Sequence, residues 1–167
     1  MSARRAKPKD AQAAYDAAAK ILARGPYGAE GLIAKLVARG FEEPIARVGV
    51  SRLEASGLLK ERQSAEAIVY GTKRDMPAGE ALIRAKLEQR GVEAFAAEDA
   101  VREATGSTDE AAEALTLTEQ ALAKMPESLD DLSKARRLLG LLARRGFTEE
   151  HALDAVRAVV PRAFDAD

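Results

Sequence analysis

Three copies of an arginine, a glycine and an apolar residue punctuate this chain: Arg39-Gly40-Phe41, Arg90-Gly91-Val92 and Arg145-Gly146-Phe147. Each closes a run with helical periodicity. The flanking positions repeat too. Eight residues before the glycine stand Leu32, Ile83 and Leu138, and four before it Leu36, Leu87 and Leu142. Ten residues after it stand Val50, Val101 and Val156. Offsets of eight and four share one face of an α-helix. One structural unit used three times is therefore the organising expectation.

The triplet itself reads as helix-termination chemistry. Glycine supplies the left-handed residue after the last turn, and the apolar residue folds back on that turn in a Schellman motif. The arginine sits at the negative end of the helix dipole. Acidic residues follow at Glu42-Glu43, Glu93 and Glu149-Glu150, where the next helix presents its positive end. Pro44 suits a first turn, whose amides have no intrahelical partner. Each unit is thus a helix, a tight glycine turn and a second helix, with a third helix filling the remaining length.

The resulting reading is all-α, with nine helices near 11–24, 29–39, 43–55, 60–74, 78–90, 94–105, 108–124, 129–145 and 149–160. Ser107 and Glu110 have capping-box spacing, Ser128 can cap the eighth helix and Thr148 the ninth. Gly25-Pro26, Gly57, Pro77, Gly106, Pro126 and Pro161 interrupt the runs. Val48-Gly49-Val50 stays within a helical period. The expected units are 11–56, 57–106 and 107–160, between a basic, disordered tail (1–10) and a C-terminal tail (161–167). Such units cannot bury enough surface alone, so an elongated, curved array with shared cores is expected.

Composition removes several function classes. Cysteine is absent, which excludes disulfides, thiolate metal sites and a cysteine nucleophile. His151 is the single histidine, and it cannot build a multi-histidine metal centre. There is no Gly-Lys-Ser/Thr and no GxGxxG to cradle phosphates. Serines and threonines cluster at caps rather than beside a base. The paired carboxylates, including Asp130-Asp131, mark helix starts rather than acid/base chemistry. A protein without catalytic residues, metal or cofactor is expected. No apolar run reaches the roughly 18 residues of a membrane span, and no signal-peptide core is visible, so a cytoplasmic protein is expected.

With the repeat laid out, the chain resembles the RecX family of regulatory proteins, which are built from tandem three-helix repeats. The first unit carries the likeness in Ala17-Ala18-Ala19-Lys20-Ile21-Leu22-Ala23-Arg24, Ala29-Glu30-Gly31-Leu32 and Lys35-Leu36-Val37-Ala38-Arg39-Gly40-Phe41. It continues through Arg52-Leu53-Glu54-Ala55-Ser56-Gly57-Leu58-Leu59. The third unit matches in Lys134-Ala135-Arg136-Arg137-Leu138-Leu139 and Leu142-Ala143-Arg144-Arg145-Gly146-Phe147, and the middle one in Lys86-Leu87-Glu88-Gln89-Arg90-Gly91-Val92. The resemblance implies a non-enzymatic modulator that binds the RecA recombinase filament and restrains its ATPase and strand exchange, with DNA as a further ligand of some members. Three departures stand out. Lys60-Glu61 replaces the family's acidic pair, Ser64 takes an aromatic position, and the basic stretch shrinks to Lys73-Arg74-Asp75. The segment from Pro77 to Leu87 is also longer than usual.

Charge is polarised. Residues 1–40 hold eight basic and three acidic side chains, whereas residues 91–167 hold nine and sixteen. That gradient suits a polarised binding surface, although solvated helix faces give the same pattern. Candidate contacts to RecA or DNA are Lys73, Arg74, Arg84, Lys86 and Arg90 around the fifth helix, and Lys134, Arg137, Arg144 and Arg145 on the eighth. For Arg39, Arg90 and Arg145 a purely structural place at a helix C-terminus is the stronger alternative. Tyr15, Tyr27 and Tyr70 are too dispersed for a base-stacking platform and are expected to pack. The basic tail, with Arg4, Arg5, Lys7 and Lys9, could scan DNA without sequence preference. Two other functions stay open: a helix-turn-helix DNA binder acting without RecA, and a helical scaffold for another protein. A monomer is expected.

Overall fold

The computed structural model describes residues 9–106 and 108–165. Nine α-helices and no strand occur among them: α1 (Ala11–Leu22), α2 (Ala29–Ala38), α3 (Glu43–Ala55), α4 (Glu61–Lys73), α5 (Glu80–Gln89), α6 (Ala94–Gly106), α7 (Glu110–Leu122), α8 (Asp131–Arg144) and α9 (Glu149–Val159). A short 3-10 helix, Pro161–Phe164, follows α9.

The repeat positions are the core positions. Leu32, Ile83, Leu138, Leu36, Leu87, Leu142, Val50, Val101 and Val156 are all at most 3% exposed. Burying such a side chain stabilises a fold by about 1.5–3 kcal/mol, so these nine sites hold a large share of the packing energy. All three triplets form the expected turn. Gly40, Gly91 and Gly146 have φ of 84°, 63° and 82°. Phe41, Val92 and Phe147 donate their N–H to the carbonyls of Leu36, Leu87 and Leu142, each at 3.1 Å. The glycine N–H groups bond to Val37, Glu88 and Ala143 at 2.8–3.0 Å, completing the Schellman pattern.

The residues divide into two compact units. One holds the chain up to Ile68 together with Leu87–Glu98. Its core is Ala14, Ala18, Ile21, Leu32, Ile33, Leu36, Ala46, Val50, Leu53 and Leu59, with Tyr15, Tyr27 and Phe41 packed on its margin. Here α1 lies closely along α3. Gly49 sits against Ala14 and the Tyr15 backbone, where a side chain would not fit. The other unit holds Val69–Lys86 and the chain from Asp99. Its core is Ala114, Leu117, Ala135, Leu138, Leu142, Phe147, Ala152, Ala155, Val156 and Val160. There α7 lies along α9, as α1 lies along α3, and the wholly buried Thr118 hydroxyl donates to the Ala114 carbonyl at 2.7 Å. The residues of α4, α5 and α6 are shared between the two units.

Two helix starts differ from expectation. Asp109, not Ser107, caps α7, accepting from Ala111 and Ala112; Ser107 itself lies outside the described residues. Asp130, not Ser128, caps α8 through the Ser133 N–H. In both cases a carboxylate two residues further on wins, because it also meets the positive helix end with a full charge. Thr148 caps α9 as expected, accepting from His151 N–H. Tyr70 is also a correction: it is 70% exposed instead of packed.

Candidate functional site

The candidate basic residues fall into three groups with different surroundings. Arg90 and Arg145 are half-buried and bound within their own units. The Arg90 guanidinium lies over the Tyr27 ring, 4.6 Å from its centroid, and donates to the Pro26 carbonyl at 3.1 Å. Arg145 donates to the carbonyls of Pro77, Thr72 and Met76 at 2.7–2.9 Å. Each arginine belongs to a clasp in which a glycine turn holds the N-terminus of a helix. The Arg90 and Gly91 carbonyls accept from the N–H groups of Gly28 and Gly31 at the start of α2, at 3.0 and 3.4 Å. The Arg145 and Gly146 carbonyls accept from Gly79 and Ala81 at the start of α5, at 2.9 and 3.3 Å. A carboxylate completes each: Glu61 accepts from Ala29 N–H and Glu93 N–H, and Glu110 from Glu80 N–H. The orphan amides of two helix starts are thereby satisfied far along the chain.

These clasps explain glycines that local helix signals do not. A Cβ on Gly28 or Gly31 would strike the backbone of Arg90, Gly91 and Val92, and one on Gly79 would strike Gly146. The sequence did carry a sign of this, because Pro26-Tyr27-Gly28 and Pro77-Ala78-Gly79 share the 51-residue spacing of Gly40 and Gly91.

The second group is neutralised. Lys73 pairs with Glu113 at 2.7 Å with both side chains mostly covered. Arg74 pairs with its neighbour Asp75 at 3.2 Å, which raises the guanidinium pKa and lowers that of the Asp75 carboxyl. Arg84 pairs with Glu80 at 2.7 Å, one turn away on α5. Lys86 stands exposed on α5 and is engaged as well.

The third group is on α8 and is different. Arg136, Arg137 and Arg144 are exposed, and among the described residues no carboxylate forms an ion pair with any of them. Lys134 is largely covered and reaches Asp131 only at 3.8 Å. Gly140 lies between the arginines, and its helical neighbourhood is open except for the Arg144 guanidinium, 3.3 Å from where a Cβ would stand. Exposed arginines on a helix can take carboxylates or phosphates bidentately, and Arg137 and Arg144, seven residues apart, share one face of α8. Arg136 was not among the residues singled out from sequence. Its signal was the dipeptide Arg136-Arg137 followed at the next turns by Gly140 and Arg144.

No group of three or more potential metal ligands occurs among the described residues. No helix among them is long and apolar enough to cross a membrane. The Nδ1 atom of half-buried His151 has no hydrogen-bond partner. Arg4, Arg5 and Lys7 lie outside the described residues.

No family model matches the chain. Curated relatives do. The Regulatory protein RecX of Chlorobium phaeobacteroides (strain BS1) is 30% identical over 145 residues, covering 86% of this chain and 91% of that protein. The Regulatory protein RecX of Mycolicibacterium vanbaalenii is 34% identical over 136 residues, covering 76% and 71%. The chain belongs to the RecX family of regulatory proteins. Its fold agrees: the crystal structure of RecX from Lactobacillus salivarius superposes with a TM-score of 0.68 over 90% of this chain and 96% of that one, at 19% identity. Within this RecX-family fold Ser64 is buried, and an open cleft of about 400 Å³ adjoins it, lined by Leu22, Pro26 and Leu58 among others.

Proposed function

We propose that this RecX-family chain binds the RecA recombinase filament, restrains its ATPase and strand-exchange activities in recombination and DNA repair, and works in the cytoplasm as a regulator, not an enzyme. Family membership, at 30% identity over most of the chain, is the observation that carries this reading. The contact surface best supported is the face of α8 bearing Arg137 and Arg144, which form no ion pair among the described residues; Arg136 stands about a quarter turn away and acts on the Asp130 carboxylate. Arg90 and Arg145 serve the fold in this reading, and Lys73, Arg74 and Arg84 are already paired.

A helix-turn-helix DNA binder acting without RecA gains little support. Its recognition helices would be α3 and α9. In α3, Arg47 is held by Glu30 and Glu43 at 3.0 and 2.9 Å, which raises its pKa. In α9, Arg157 lies over the Phe164 ring, 5.3 Å from its centroid. Only Arg52 stays without such a partner among the described residues of those helices, and one cation neutralises too few phosphates.

A DNA-dependent ATPase assay with RecA, paired with a pull-down, tests the proposal. The wild-type chain is expected to lower the ATPase rate and to be retained by filaments. The Arg137→Glu/Arg144→Glu variant is expected to need about tenfold more protein for the same effect, the scale of losing one charge-assisted contact. No effect of the wild type at several-fold molar excess, across a range of salt, would overturn the reading.

A further inference from the structure

The two clasps share one recipe. A segment Pro-x-Gly leads into a helix, and the first N–H groups of that helix rest on the carbonyls of an Arg-Gly turn. The arginine side chain reaches back to the carbonyl of that proline, Pro26 for Arg90 and Pro77 for Arg145. A carboxylate at the start of α4 or α7 caps the next amide.

The first Arg-Gly turn has the same backbone and lacks the helix. Among the described residues, the Arg39 and Gly40 carbonyls accept only from the Lys9 ammonium, at 2.9 Å each. Backbone from Gly31 covers Gly91 and backbone from Leu82 covers Gly146, whereas among the described residues only the end of the Lys9 side chain covers Gly40. Arg39 is exposed and has no acceptor among the described residues. Asp10 precedes α1 much as Glu61 and Glu110 open α4 and α7, and only one of its oxygens is used, for Ala13 N–H. Beside the turn, α2 and α3 enclose a groove of about 430 Å³ lined by Ile33, Ala34, Val37 and Ala38, with Val37 42% exposed, and by the ion-paired Glu30, Glu43 and Arg47.

We propose that this turn, covered among the described residues by Lys9 alone, and the partly apolar groove beside it form a docking surface for the N-terminal end of a helix from another protein, entered through a Pro-x-Gly segment. Lys9 is the stand-in that holds the turn until that helix arrives. The two seated examples inside the chain define the occupant's chemistry: unsatisfied helix amides for the carbonyls, a glycine for close approach, and an acceptor for Arg39. A second copy of the chain does not fit. Its two Pro-x-Gly segments, at the starts of α2 and α5, are already clasped, and the α3 start, which has no side-chain cap, is entered through Phe41-Glu42 with no such glycine. This docking surface is independent of RecA binding through α8, because it uses only Lys9, α2, α3 and the turn between them.

The chain's own donor segment supplies the probe. A peptide spanning residues 77–89, held helical by a staple between its exposed positions 84 and 88, is titrated into the isotope-labelled full-length protein and followed by amide chemical shifts. Shifts at Gly40 and Phe41 and along 33–47 are expected. Lys9→Ala removes the competitor and Arg39→Ala removes a donor, so affinity should rise and fall respectively by about tenfold. A peptide carrying Gly79→Val should not bind, since its side chain would collide with the turn. Circular dichroism identical to wild type keeps both protein variants interpretable. Failure of the peptide to bind even the Lys9→Ala protein, equal binding of the valine peptide, or shifts confined to 90–93 or 145–148 would each overturn the proposal.

Discussion

Glu54, near the end of α3, has a carboxyl pKa raised first by partial desolvation and then by the charges of Glu61 and Glu93. Glu61 is fixed in place because its oxygens cap Ala29 and Glu93 N–H groups, so it cannot turn away. A carboxyl whose pKa is higher folded than unfolded binds its proton more tightly in the folded state. Its favourable contribution is complete below the ordinary glutamate pKa of about 4.3 and is lost as pH rises through the raised value. Glu54→Gln should therefore raise the urea midpoint at pH 7 and leave it unchanged near pH 3; an equal shift at both would point to packing instead of charge. Asp130 runs the other way, its carboxyl lowered by the Ser133 cap bonds. At this scale sequence legibility was partial. An arginine beside a glycine turn reads the same whether its guanidinium meets a carbonyl far along the chain, as in Arg145, or solvent, as in Arg39. Distinguishing them requires knowing which segment lies opposite.

Elements were far more legible than their connections. Helix faces, glycine turns and the nine helices follow from local offsets, because a Schellman turn and an apolar stripe are both settled within a dozen residues. Helix starts were read less well, since Ser128 and Asp130 both suit an N-cap and only the register of the apolar face selects one. Of the clasps only the repeated Pro-x-Gly spacing is legible, not the pairing, because they join segments more than sixty residues apart, as between Pro26 and Arg90. Two glycines inside helices measure the difference. Gly31 rests on the Arg90 carbonyl, and Gly31→Ala would push the α2 start off its turn and unsatisfy amides there. A loss of about 2–3 kcal/mol is expected in urea unfolding, the range for overpacking a close contact. Gly71 in α4 faces open space, with nothing within 4 Å of where a Cβ would stand. Gly71→Ala should raise stability by about 0.5–1 kcal/mol, through helix propensity alone. Two glycines within helices thus change stability in opposite directions, and equal effects would remove the clasp from its stabilising role.

For the molecule as a whole, the charge gradient seen in sequence places α8 in its acidic part, residues 91–167, with nine basic and sixteen acidic side chains. An evenly solvated surface would pair those nine with the surplus of carboxylates nearby. Arg102 and Lys134 do face Asp99 and Asp131, whereas among the described residues Arg136, Arg137 and Arg144, like Lys124 and Arg162, form no ion pair, and Arg136 acts on the Asp130 carboxylate from a distance. Three exposed arginines on one helix inside an acidic region concentrate attraction there while the surrounding carboxylates repel an anionic partner elsewhere, which orients its approach more than it tightens the final complex. Association should therefore carry the signature. The rate constant for wild-type binding to RecA filaments on DNA should fall as salt rises from about 50 to about 300 mM. Replacing all three arginines with alanine should slow association about tenfold at low salt and nearly abolish its salt dependence, while dissociation changes less. Stopped-flow binding across that salt range separates the two rates. If the triple variant keeps the wild-type salt dependence, the steering charge lies elsewhere, and the face of α8 is an ordinary solvated surface.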